Sequence, residues 1–201
     1  MTGGRGTPGP GGVLARVRAA TAATHRRLDA GLDPAGRTWD VDVHRRWLSL
    51  TWGLLAPLER ALAGWAAADP TALDVAARAR ADLALADLRV LGTDAADLAE
   101  LRECPGTPLP VTRAAALGTC YVLDGSTLGG RLITRAAVAA GVPAGACTSL
   151  TGRPGGGRRW RATTAALGAV GEEDAEEVVA AAVATFAAHE RWLSPLAVRS
   201  G

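Results

Sequence analysis

The sequence predicts an all-α protein built as a single domain, and three observations carry that prediction. Apolar residues recur at three- and four-residue intervals over most of the chain. No stretch of useful length alternates apolar with polar residues, so no strand is expected. Gly and Pro gather in short segments that separate the helical patterns, with no internal repeat. At 201 residues, with 48% hydrophobic and 21% charged, the chain has material for a real core and is not of disordered composition.

The elements follow in order. Residues 1–12, "MTGGRGTPGPGG", carry no apolar signal segment and are expected as a flexible tail ahead of a domain spanning 13–193. Val13–Leu32 places Leu14, Val17, Thr21, His25 and Leu28 on one helical stripe, until Asp33-Pro34-Ala35-Gly36 breaks it. Trp39–Trp65 reads as a second helix with Asp40 or Asp42 as N-cap, and Pro57 marks an expected kink or break. Thr71–Gly92 opens on a Thr cap after Pro70 and closes on Gly. "TDAADLAELREC" is a short helix ended by the turn 105–110, and Val111–Ala140 is a long one. A loose stretch with room for one short helical piece precedes Arg158–Gly168 and Glu172–Leu193. The acidic run Glu172–Glu177 suits a helix N-terminus, and 194–201 is expected as a tail.

Composition narrows the function classes. A net charge of +2, supplied by Arg with no Lys, gives no footprint for nucleic acid. Cys104, Cys120 and Cys147 form no CxxC pair, so neither a disulfide framework nor a zinc site is expected. The longest charge-free run, Ala136–Gly152, is interrupted by Gly141, Pro143 and Gly145, so no membrane span is expected and the cytoplasm is the default location. "GRPGGGRRW" lacks the ending of a P-loop, and no Glu-x-x-His pairs mark a di-iron bundle.

Two features remain to be explained. "DGSTLGG", Asp124–Gly130, puts Gly125, Gly129 and Gly130 inside a helical pattern, where each costs about 1 kcal/mol relative to Ala. Gly125-x-x-x-Gly129 allows two helices to pack backbone to backbone, or the bare backbone can lie against a ligand. His25 faces the buried side of its helix, either as a core histidine bonded to a carbonyl or as an axial ligand to haem iron. His44, beside Asp42, Arg45 and Arg46, is expected on a solvated face; His189 is undecided.

Taken together, "RAATAATHRRLD", "YVLDGSTLGGRLI", "WRATTAAL" and "ATFAAHERWL" resemble the haem oxygenases, specifically the bacterial branch associated with bacteriophytochromes. The resemblance runs from about Val13 to Leu193. It implies a multihelical fold that sandwiches haem between a proximal and a glycine-kinked distal helix. His25 would hold the iron, and Gly125, Ser126, Gly129 and Gly130 would form the distal wall. Tyr121, Arg18 and Arg159 or Arg161 would meet the propionates. It further implies cleavage of haem to biliverdin, ferrous iron and carbon monoxide, with electrons from a separate ferredoxin or flavin reductase, and a bilin-binding photoreceptor as a possible recipient. The chain departs from that branch at Asp124, where Glu is usual, and at His189, where Leu or a similar residue is usual; Phe186 is its one Phe. Two alternatives stay open: a haem carrier or sensor of the same fold without turnover, and a haem-free helical protein of thiaminase type using Cys120.

Overall fold

The computed structural model describes residues 12–69 and 73–197. Eight α-helices and three 3-10 turns make up the regular structure, and no strand occurs among the described residues. The expected N-terminal tail, apart from Gly12, and the Thr71 cap lie outside the described residues.

Helix α1 (Val13–Leu32) buries Val17 and Thr21 and ends at Asp33, which turns the chain through a left-handed conformation (φ 38°). Helix α2 (Val41–Ala68) starts on Asp40, whose carboxylate accepts a 2.7 Å bond from the Val43 N–H. Pro57 does not break it. A proline deprives the carbonyl four residues earlier of its donor, here Gly53, and the N–H of Cys104 supplies a replacement at 2.8 Å. Gly53 has no Cβ to keep that loop away; a Cβ there would fall inside the Arg102 carbonyl and against Trp192. The proline and glycine together therefore form a dock for the segment 102–104.

The helix expected over Thr71–Gly92 is instead a 3-10 turn, Ala76–Arg78, followed by α3 (Ala81–Val90). Between them Ala79 is extended, and the Glu59 carboxylate of α2 accepts from the N–H groups of Arg80 and Ala81 at 2.7 and 3.0 Å, acting as a cap supplied in trans. The break turns Arg78 and Arg80 inward, where both are buried. Asp94 caps α4 (Ala95–Ala99), and Thr112 caps α5 (Arg113–Ala139). Asp87 of α3 gathers the N–H and hydroxyl groups of Thr148 and Ser149 at the start of α6 (Thr148–Thr151). Helices α7 (Gly156–Gly168) and α8 (Glu172–Leu193) follow, the latter with Glu172, Glu173 and Asp174 in its first turn as the acidic run predicted.

Helix α5 runs through the centre, packed on α6, α7 and α8, while α1 lies on α8 and α2 on α3. Gly118 lets α5 approach α8 closely, since a Cβ there would fall inside the Val178 carbonyl. The turn Ser194–Leu196 buries Leu196 in the same core, so packed structure continues into the segment expected as a C-terminal tail. His44 corrects another expectation: it is fully buried, with Nε2 donating to the Ala146 carbonyl at 2.8 Å. Its charged neighbours Asp42, Arg45 and Arg46 sit on the outer side of α2, while His44 shares the inner stripe with Trp47 and Leu48.

The Arg78 guanidinium, 4% exposed, donates to the Asp124 carboxylate of α5 at 3.1 Å and to Thr163 of α7 at 2.9 Å. Thr163 in turn donates to the same Asp124 oxygen at 2.7 Å. Removing one partner of a buried ion pair strands the other charge, at a cost of about 3–5 kcal/mol. Asp124→Ala is therefore expected to lower the unfolding free energy by that amount, read in urea as a lower midpoint with an unchanged m value. A shift below about 1 kcal/mol would show that the triad does not hold α5 to α7.

Candidate functional site

A cleft of about 720 Å³ opens between α1 and α5. That volume lies within the range of about 300–1,000 Å³ of small-molecule and cofactor sites. At the mouth stand His25, Asp29, Leu128, Gly129 and Leu132, all exposed. The floor is built from buried groups, chiefly Leu54 and Leu55 of α2, Val122 of α5 and His189 of α8.

On the α1 wall the side chain of His25 is 58% exposed, so it is not a core histidine. Its Nδ1 lies 2.9 Å from the Asp29 carboxylate one turn onward, and the Phe186 ring meets it edge-on at 5.6 Å. A carboxylate on Nδ1 fixes that nitrogen as the donor and leaves Nε2 as a lone pair, the arrangement that prepares a histidine for a metal. The carbonyl-bonded core histidines of this fold are the other two. His44 bonds Ala146, and His189 donates from Nδ1 to the Thr185 carbonyl at 2.8 Å.

On the α5 wall the three glycines do different work. A Cβ on Gly130 would fall inside the Leu150 carbonyl, so that glycine seats α5 against α6. A Cβ on Gly125 would touch the Trp160 ring at 3.5 Å, and Trp160 packs on Tyr121 with ring centres 5.3 Å apart. Gly129 has nothing within 4 Å of where its Cβ would be, and it is the glycine that offers open backbone at the cleft. Ser126 is already engaged: its hydroxyl donates to the Leu123 carbonyl at 2.8 Å and accepts from the Arg80 guanidinium at 2.8 Å.

His25, Tyr121, Gly125, Ser126, Gly129 and Gly130 thus all line one cleft. Arg18, Arg159 and Arg161 do not; Arg18 and Arg161 are exposed, and Arg159 donates to the carbonyls of Arg153 and Pro154 at 2.6 and 2.8 Å. Arg80 and Asp29 are lining residues that sequence reasoning missed. Arg80 is the interior one of the two. It is buried beside the cleft and donates to Ser149, Leu123 and Ser126. Burial pushes its pKa down while the charges of Glu59 and Asp124 oppose that shift, and a guanidinium in this setting stays protonated. His189 is driven to about 4, first by burial and further by the Arg80 charge, so it is neutral at neutral pH. Cys120 is buried and its thiol is pushed up to about 12, the reverse of what a nucleophile needs.

No known family model matches the sequence, and no curated protein is significantly similar to it. No helix among the described residues is long and apolar enough to cross a membrane.

Two outcomes follow from this geometry. Gly129→Ala should raise stability by up to about 1 kcal/mol through helix propensity, and Gly130→Ala should lower it by about 1–3 kcal/mol through overpacking; thermal melts of the two variants decide the matter. The folded pKa of His189 lies below the ordinary 6.5, so between pH 6.5 and about 4 the unfolded chain binds the extra proton. Stability is therefore present above pH 6.5 and declines as the pH falls towards 4, and His189→Leu should flatten that decline in Tm.

Proposed function

We propose that this protein is a haem oxygenase, cleaving haem to biliverdin, ferrous iron and carbon monoxide. The observation that carries the reading is the pairing, across one largely apolar cleft, of the carboxylate-backed imidazole of His25 with the open backbone of Gly129. These residues fit a flat, iron-bearing macrocycle: an imidazole with a free Nε2 on one wall, and on the other a place where a Cβ has been left out. When bound, haem supplies both the iron that activates dioxygen and the ring that is cut, with electrons from a separate ferredoxin or flavin reductase in the cytoplasm.

The chain's own residues perform the rest. Asp29 accepts from His25 Nδ1 and so orients the ring, leaving Nε2 free for a ligand. The Leu54, Leu55 and Val122 side chains keep water from the floor. Gly129 leaves room over the ligand, while Ser126 and the guanidinium of Arg80 hold fixed dipoles and a fixed cation beside that wall. Tyr121 lies in the lining, where a phenol can meet a ligand carboxylate. Exposed Arg18 and Arg161, away from the lining, are the cations that the family resemblance nominates for the propionates.

A hemin titration followed by reduction in air tests the proposal. Wild type should develop a Soret band that decays as biliverdin appears. His25→Ala should lose turnover, and Asp29→Ala should lose about 10–100-fold in affinity or activity. A band that forms and never bleaches would leave a haem carrier, and no uptake would remove haem from the account.

A further inference from the structure

Arg80 is the one arginine among the residues that line the cleft, and it is only 5% exposed. Its acceptors are all uncharged: the Ser149 carbonyl at 3.0 Å, the Leu123 carbonyl at 3.3 Å and the Ser126 hydroxyl at 2.8 Å. The two acids whose charge reaches it are bonded elsewhere, Asp124 to Arg78 and Thr163, and Glu59 to the backbone N–H groups of Arg80 and Ala81. The Arg80 Nε–H has no acceptor among the described residues. Nor is it one of their sealed, unpartnered polar atoms, which are Arg37 Nε, His44 Nδ1, Thr93 Oγ1 and Thr134 Oγ1. A guanidinium carries five donors in a planar fork, so Arg80 keeps at least one for whatever enters the cleft.

Charge is unevenly placed in the lining. Its two acids, Asp29 and Asp33, lie at the end of α1 and in the turn that follows, where a ligand carboxylate would meet like charge. Arg18, Arg159 and Arg161 stand outside the lining, which leaves Arg80 as the arginine in contact with the cleft. An ionised carboxylate enters an apolar interior only with a partner. Arg80 is already out of water, so pairing with it desolvates one new charge and not two. We propose that Arg80 binds a carboxylate of the ligand, so that the cleft takes its tetrapyrrole with the carboxylate-bearing edge turned inward to this guanidinium. A charge-assisted N–H···O bond there is short and directional, and it selects acidic tetrapyrroles over neutral ones. This inference rests on the cleft being a tetrapyrrole site, as proposed above.

The probes are gallium mesoporphyrin, which is redox-inert and carries two carboxylates, and its bis-amide, which has the same shape without their charge. Dissociation constants are measured by absorbance at neutral pH for wild type, Arg80→Gln and Arg80→Met. Wild type should prefer the diacid. Both variants should lose that preference by about 10–100-fold, the size expected for a hydrogen bond to a charged group. The ratio of the two constants cancels any general change in the cleft, and a ratio equal in wild type and folded variants would overturn the role of Arg80. Should the variants not fold, wild type alone decides. Gallium mesoporphyrin labelled with 13C at its carboxyl groups is bound to it and exposed to a soluble gadolinium chelate. At least one carboxyl resonance should be protected from broadening; two carboxyls broadened as in the free complex would overturn the inference while leaving a tetrapyrrole site. Failure of wild type to take up either complex would overturn the tetrapyrrole reading, and this inference with it.

Discussion

Two buried arginines decide how this bundle is assembled. Arg78 and Arg80 flank the break between the turn Ala76–Arg78 and α3, and each must find partners for a guanidinium taken out of water. Arg78 finds Asp124 and Thr163; Arg80 finds Ser126 and the carbonyls of Leu123 and Ser149. Glu59 of α2 closes the group by taking the N–H bonds of Arg80 and Ala81. One short segment therefore fixes α2, α5, α6 and α7 relative to one another. The cleft lies against that hub, so its α5 wall is positioned by charge-assisted hydrogen bonds as well as by apolar packing.

The arrangement explains why the glycines of α5 can be tolerated. A helix weakened at Gly125, Gly129 and Gly130 needs external support. Support arrives at each side: Leu150 of α6 lies where Gly130 lacks a Cβ, Trp160 of α7 fills the space beside Gly125, and Arg80 holds Ser126 and the Leu123 carbonyl. With its neighbours fixed, Gly129 alone can be left open to the cleft. The close backbone approach falls on Gly130 and not on the Gly125-x-x-x-Gly129 pair that the sequence pattern suggested, while Gly129 is left open at the cleft.

Helix periodicity was legible in the sequence, and α1, α5 and α8 fall within a few residues of their expected bounds. The stripe through Val17 and Thr21 led to the buried face of α1, but it does not stay buried as far as His25, which stands exposed at the cleft mouth. Pro57 sits inside an unbroken α2 because a distant N–H reaches the carbonyl it orphans, and Cys104 is too far away in sequence for that rescue to be read there. Arg80 was invisible for a similar reason. In "ARARAD" it has the pattern of a solvated charge, and only the break at Ala79 and the carbonyls of two other helices make it an interior residue. His44 and His189 were misjudged or left undecided because the burial of an isolated His is a tertiary fact.

The cleft also shows how one wall sets the chemistry of another. Arg80 lies on the Ser126 side, yet its charge is one of the influences that keep His189 neutral. His25 at the mouth is exposed, with the Asp29 carboxylate on its Nδ1; His189 on the floor is buried, with the Thr185 carbonyl on its Nδ1 and the Arg80 charge nearby. The same kind of side chain thus stands in water beside an acid at the open end, and desolvated and neutral at the closed end.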